Sequence, residues 1–336
     1  MIHRVAPALP GLKYGQFFFP STDGSELYVF GEDGRHIATR DATTLRNALT
    51  FQYTASGALA SVTDAGGLVT TVQGSSNGSA ASLVSSHGVR TTIDVDANGF
   101  ARQLTGPSGY AMTPQHDSLG LLLSMRDPRG LPHRFRYDSL GLLTQDADTL
   151  GAQSLLAFLT SDKSTVVHTL ATGETTTYTV ERAPTLVVTQ TTAIAGETPD
   201  STIFGRDGTT VQRHAGGASS QTLAAPDPRL GFPVSFDKTT TYQVGSLTGT
   251  IQRSRAALGA STDGTTAMGT LLDSTRVNGR LFVDSIDLAA RITLSRSPMD
   301  RRSTSTYDLR GLALAGQVWS RLGRTFSYDS AGPRWS

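Results

Sequence analysis

Residues 117–141 read Asp117-Ser118-Leu119-Gly120-Leu121-Leu122-Leu123-Ser124-Met125-Arg126-Asp127-Pro128-Arg129-Gly130-Leu131-Pro132-His133-Arg134-Phe135-Arg136-Tyr137-Asp138-Ser139-Leu140-Gly141. The motif Asp-Ser-Leu-Gly stands at both ends, and Asp127-Pro128-Arg129-Gly130 lies between. Asp at the first position of a four-residue turn, Pro at the second and Gly at the fourth are type I preferences, so each motif reads as a turn. Working outward, glycine recurs every 21 positions at Gly57, Gly78, Gly99, Gly120 and Gly141. A second series, Gly67, Gly88, Gly109, Gly130 and Gly151, follows each of these by 10. Self-similarity at this period marks stacked supersecondary units. Thr54 and Ser75 take the Asp role in two earlier units. Two turns per unit leave two arms of about seven residues, an ordinary strand length.

The arms carry strand patterning. Leu131, His133, Phe135 and Tyr137 alternate with Pro132, Arg134 and Arg136, and Val89, Thr91, Ile93 and Val95 alternate in the same way. On the other arm the apolar columns fall two and five places after the turn glycine. They are Leu59, Ala80, Ala101, Leu122 and Leu143, then Val62, Leu83, Leu104 and Met125. A spacing of three breaks strict alternation, which predicts a β-bulge beside that turn.

Composition agrees with an all-β chain. Of 336 residues 17% are charged, below the roughly 25% of soluble domains, and 35 are glycine. A net charge of +1 supplies no field to attract nucleic acid or an anionic membrane. Without cysteine there is no disulfide, thiol nucleophile or thiolate metal site. No stretch is apolar for long enough to span a membrane, and no signal peptide is visible before Pro10.

Taken in order, the chain divides into four segments. Residues 1–48 form a lead-in β segment, with a hairpin from Glu26–Phe30, a turn at Gly31-Glu32-Asp33-Gly34 and a return strand; Gly34 lies 23 before Gly57, slightly out of register. Residues 49–151 are the five-unit array of 21-residue β-hairpin repeats, and 152–280 form an irregular Thr-rich β region. There Thr165–Leu170 and Thr175–Val180 flank Gly173 as a hairpin, and Asn278-Gly279 is a strong two-residue hairpin signal. Gly216-Gly217-Ala218-Ser219-Ser220 and Pro226-Asp227-Pro228 read as loops. Over 281–336 the register returns at Asp287-Leu288-Ala289-Ala290, Asp308-Leu309-Arg310-Gly311 and Asp329-Ser330-Ala331-Gly332, with Ala290 in the glycine place. The sequence stops in mid-unit, so it reads as a piece of a longer protein.

Phe135-Arg136-Tyr137-Asp138-Ser139-Leu140-Gly141-Leu142-Leu143 and Ser305-Thr306-Tyr307-Asp308-Leu309-Arg310-Gly311-Leu312 resemble the Tyr-Asp, or RHS, repeat, and Asp127-Pro128-Arg129-Gly130 matches its second half. The arrangement is similar to the bacterial, teneurin-like branch, over residues 25–151 and 285–336. This resemblance implies a spiral shell of hairpins around a large cavity. In bacterial members the shell typically encapsulates a C-terminal toxin; in teneurins it is an extracellular scaffold for adhesion. It also implies a secreted or cell-surface location. The sequence departs from the pattern in placing Leu121, Leu142 and Leu312 where the repeat has Arg. Toxin-bearing members end their shell in a self-cleaving Asp-Pro core segment; Asp127-Pro128 and Asp227-Pro228 stand in repeat turn or loop settings and are not assigned that role.

Gly74-Ser75-Ser76-Asn77-Gly78 spells a nucleophile elbow around Ser76, but it falls on a repeat turn between β arms, whereas the elbow needs a following helix. Asp94, Asp96 and Asn98 open a calcium-loop pattern whose closing twelfth position is Thr105 instead of Glu, so they read as turn residues. Asn77-Gly78-Ser79 is a glycosylation sequon. The seven histidines lack metal-ligand spacing, and His116 occupies the Tyr137 column. Asp146 and Asp148 read as turn formers rather than an acid/base pair. No catalytic, cofactor or metal residue is therefore assigned. The expected function is a non-catalytic shell segment that encloses or presents a toxin or effector, with the rest of an RHS-type polypeptide as its partner. The alternative is an adhesion or recognition module binding glycan or a cell-surface protein. Nucleic acid and membrane insertion are not expected.

Overall fold

The computed structural model describes residues 12–13, 15–74, 80–148, 153–160, 163–259, 269–308, 311–318 and 323–326. Among them there are 28 strands, β1 to β28 in chain order, and no helix. Each strand pairs antiparallel with the one before and the one after, so the chain forms a single open meander. Its edges are β1 (Phe17–Pro20) and β28 (Arg324–Thr325).

The turns follow the sequence reading and add a detail. The array glycines from Gly57 to Gly141 that are described have φ between 76° and 92°, which a side chain at Cβ disfavours. At 117–120, Gly120 N–H donates to Asp117 O (3.2 Å) and Asp117 N–H donates to Leu121 O (2.9 Å). This is a type I turn closed by one left-handed residue. The Asp carboxylate holds it: Asp117 Oδ1 accepts from the amides of Leu119 (2.8 Å) and Leu121 (2.9 Å). Asp96, Asp127 and Asp138 repeat both bonds. Thr54 and Ser85 make the second with a hydroxyl.

The predicted bulge is present. Between β10 (Ala111–His116) and β11 (Leu122–Arg126), His116 pairs with Leu122 while Gln115 pairs with Ser124, which leaves Leu123 extra. Between β12 (Pro132–Tyr137) and β13 (Leu143–Ala147), Thr144 is the extra residue in the same way. The bulge restores the facing, so Leu122 and Met125 both lie on the face of His133, Phe135 and Tyr137. The tyrosine of the repeat spans this defect: Tyr137 Oη donates to Leu122 O (3.0 Å) and Tyr53 Oη to His36 O (2.8 Å).

Beyond the array the same turn persists at uneven intervals, closed by left-handed Gly173, Leu186, Gly208 and Gly217. Asn278 (φ 47°) and Gly279 (φ 82°) form the expected two-residue hairpin turn. Three local readings are corrected. Ser219 to Asp227 form strand β20 (Ser219–Asp227), so Ser219, Ser220, Pro226 and Asp227 belong to the sheet; Pro226 fits because a register shift lies beside it. The left-handed position of the 287 turn is Arg291 (φ 60°), not Ala290: the turn is one residue longer, and Arg291 Nε donates to Tyr307 O (3.1 Å). Asp146 lies on β13 opposite Phe135, not in a turn.

Most side chains on both faces are only half buried, as in a wall one sheet thick. The surface is 21577 Å² for 35.5 kDa, whereas a compact monomer of this mass exposes about 13,000 Å². One cluster of buried apolar residues forms where Leu27, Ala42, Leu45, Leu230 and Val234 pack with Phe18. There the wall curls back, so that β2 (Glu26–Phe30) and the turn after β3 (His36–Asp41) meet the start of β21 (Gly231–Val244).

Candidate functional site

The seam owes its shape to irregularity. In the array the second turn of each unit has four residues and no bulge. Between β3 and β4 (Asn47–Tyr53) the turn runs from Asp41 through a left-handed Leu45 (φ 56°), and a register shift leaves Ala48 extra. These two additions account for the 23-residue interval from Gly34 to Gly57. They push Ala42 and Leu45 out of the meander and into the seam. From the other side, three residues intervene between Gly231, opposite Asp227, and Ser235, opposite Pro226, and this excursion delivers Val234.

An ionic cluster lies beside the apolar contact. Asp227 Oδ1 accepts from the backbone N–H (2.8 Å) and Nε (3.1 Å) of Arg229, and Oδ2 accepts from Arg229 Nη2 (3.0 Å) and Arg255 Nη1 (3.0 Å). Arg255, on β22 (Leu247–Leu258), forks onto Asp273 of β23 (Thr270–Val277) at 2.8 and 2.7 Å, its cross-strand partner. Arg229 spends its remaining donors across the seam, on Ala42 O (3.0 Å) and Thr43 O (2.5 Å). The side chains of Asp227 and Arg229 are 0% and 3% exposed. Burial pushes the Asp227 carboxyl up, but the bonds and charge of Arg229, aided by Arg255, outweigh it and hold the group below the usual carboxylate range. Further along, Arg46 Nη1 donates to Asp308 O (2.8 Å), a second tie between distant turns.

Asp127-Pro128-Arg129 and Asp227-Pro228-Arg229 are the same local device in two settings. Arg129 forks back onto Asp127 as Arg229 does onto Asp227, yet its side chain is 78% exposed and touches nothing across a seam. The motif alone therefore does not make a clasp; an opposing surface does.

The motifs weighed from sequence do not converge with this cluster. Ser76 and the Asn77-Gly78-Ser79 sequon lie outside the described residues. Asp94 pairs with Arg102, and Asp96 is occupied by the amides of its own turn, Asn98 N–H among them. His116 rests against Phe100, with ring centres 5.6 Å apart. Asp146 and Asp148 line a cleft of about 360 Å³ with His133 and Ser154. Among the described residues no three His, Asp or Glu gather as a metal site, and no helix is long and apolar enough to cross a membrane. Sequence reasoning missed Asp227, Arg229, Arg255 and Asp273. The signals were the 23-residue interval and the return of Asp-Pro-Arg at 227.

The architecture has known relatives. In solved structures, the Photorhabdus luminescens Tc holotoxin pore with a mutant TccC3 aligns over 92% of this chain and 19% of its own, at 13% identity and a TM-score of 0.51. The crystal structure of TcdB2-TccC3-Cdc42 aligns over 94% of this chain and 22% of its own, at 12% identity and a TM-score of 0.50. At that identity the likeness concerns the fold, and this chain spans only a small part of those proteins. No curated protein matches the chain. The family model described as teneurin YD-shell matches residues 14–272, which include both sides of the seam and the irregular stretch from 152 onward. With well over half of its length matched, and folded as a spiralling antiparallel wall, this chain belongs to the teneurin YD-shell family.

Proposed function

We propose that this chain is a stretch of shell wall in a longer RHS-type polypeptide, that it performs no catalysis and binds no cofactor, and that the wall encloses a toxin or effector. Segments 1–48, 49–151, 152–280 and 281–336 are consecutive stretches of that wall. The observation that carries the reading is the curl. A sheet one layer thick that fastens to itself through Asp227, Arg229 and the carbonyls of Ala42 and Thr43 has the form of an enclosure rather than of a packed core. A secreted or cell-surface location goes with this role. The test is limited proteolysis of the full-length polypeptide. The segment that the wall encloses is expected to resist protease until the seam is broken by Arg229→Ala; equal digestion with the seam intact would sink the proposal.

A second reading, recognition at a cell surface, is favoured by one observation. Phe17, Phe19, Phe30, His36 and Phe51 form a continuous ring-on-ring stripe at the β1 edge, with Phe19 58% exposed. Such stripes suit a sugar face or an apolar protein surface. Glycan binding lost on Phe19→Ala, with the shell interior empty, would establish that reading instead.

A further inference from the structure

A second site lies outside the residues matched by the family and does not rest on the shell reading. Where the turn joining β23 to β24 (Arg280–Asp287) approaches the turn joining β25 (Ile292–Arg296) to β26 (Arg302–Tyr307), there is a cleft of about 520 Å³. Arg280, Arg296, Ser297, Asp300 and Arg302 line it. Arg296 and Arg302 are direct cross-strand partners, an arrangement that costs stability when the charges are alike. Register also puts Arg276 on the same face, since Arg276 opposes Leu281 and Arg296 opposes Val283, two residues along the same strand.

The turn between the two arginines is built to gather them. Its left-handed position, filled by glycine throughout the array, is Asp300 (φ 55°). Asp accepts this conformation better than most residues but less readily than Gly. What it adds is a carboxylate 3.9 Å from Arg296 Nη1 and 3.4 Å from Arg302 Nη2, which draws both guanidiniums to one side. One carboxylate leaves the group of Arg276, Arg296 and Arg302 cationic, while Arg280, opposite Val277, lies on the other face by register and borders the cleft from the end of its strand.

We propose that this cleft binds the sulfate esters of an anionic polysaccharide. Guanidinium forks match tetrahedral oxyanions in pairs of hydrogen bonds. With Arg296 and Arg302 52% and 71% exposed, a single small ion is held weakly against water. A chain carrying several sulfates engages the guanidiniums of Arg276, Arg296 and Arg302 at once. Ser297 and Asp300 offer acceptors for sugar hydroxyls. No aromatic residue lines the cleft to stack a nucleobase.

The experiment is calorimetric titration of the chain with a heparin hexasaccharide, alongside the unsulfated backbone polysaccharide, inorganic phosphate and phosphoinositide vesicles. Heparin is expected to bind, to weaken steeply with salt, and to lose about tenfold or more in the Arg296→Gln/Arg302→Gln variant, as charge contacts to an anionic chain do. The exposed Arg213→Gln should be indistinguishable from the parent. The double variant should melt no lower than the parent, because facing charges have been removed. Arg276→Gln, on the same face as both arginines, gives a milder second reading of the same loss. The proposal is overturned if heparin does not bind, if the unsulfated chain binds equally, if vesicles bind more tightly, or if the arginine variants bind as the parent does.

Discussion

At the scale of single residues, two glycines of the ladder separate backbone strain from crowding. Gly130 has φ 82° with open space where a Cβ would go, whereas a Cβ on Gly120 (φ 92°) would lie 2.7 Å from the Phe100 ring. Gly130→Ala should therefore cost about 1–2 kcal/mol, the price of a left-handed L-residue. Gly120→Ala should cost more, and trimming Phe100 to Leu should recover part of the excess. Chemical denaturation of the four variants checks this; equal costs at the two positions would refute the role given to Phe100. Asp23 shows the same local logic in its charge. Hydrogen bonds from Ser21 and from the amide and hydroxyl of Ser25 bring its carboxyl down to about 2.

At the scale of the hairpin, the unit of the repeat is a turn, a bulge and a tyrosine bond acting together. Type I geometry and the left-handed glycine set the turn, and the bulge at Leu123 or Thr144 returns the apolar columns to one face. Tyr137 then donates to Leu122 O. Tyr137→Phe should cost about 0.5–1.5 kcal/mol and raise amide exchange locally in β11 and β12; an exchange pattern unchanged there would show that the bond is not stabilising. The turns and the bulge were legible from spacing, because each is decided within one or two neighbouring strands; the tyrosine bond was not. The failures at this scale were also local competition. Asp146 keeps the column of Val62, Leu83, Leu104 and Met125 but carries a charge, so composition pointed to a turn where position pointed to a strand. Ala290 has the glycine place in the 21-residue count, yet the turn lengthens by one and Arg291 becomes left-handed instead.

At the scale of the whole molecule, stability depends on a seam that joins residues some 186 positions apart. Asp227→Asn should cost about 3–5 kcal/mol, since it leaves the buried Arg229 guanidinium without its counter-charge, while Arg255 keeps Asp273. The pH dependence follows from the depressed Asp227 carboxyl. Its contribution is fully present above the unfolded carboxylate value of about 3.9 and is lost as pH falls through the lower folded value. The parent should therefore lose stability below about pH 4 more steeply than Asp227→Asn does. Parallel acid profiles for the two would remove Asp227 from the explanation. Leu230→Ala, at a side chain 3% exposed, should cost about 2–5 kcal/mol. Hydrogen exchange should rise together at Ala42–Leu45 and at β20–β21, although no backbone pairing links them. A rise confined to one side would mean the two surfaces touch without supporting each other.

The sequence by itself determined the repeat, the two turns per unit, the bulge and the family resemblance. Each of these rests on preferences expressed within a few residues: a left-handed glycine, an Asp reaching its own amides, an apolar column. Only the tertiary structure decided where the wall closes on itself, and that in one of two Asp-Pro-Arg motifs the arginine, Arg229, would be buried while Arg129 of the other stayed in water. A clasp needs two surfaces, and the second, the enlarged turn at Ala42–Leu45, is distant in sequence and carries no periodicity of its own. Desolvation and long-range contact are properties of the assembled spiral, so no reading of neighbours along the chain could supply them.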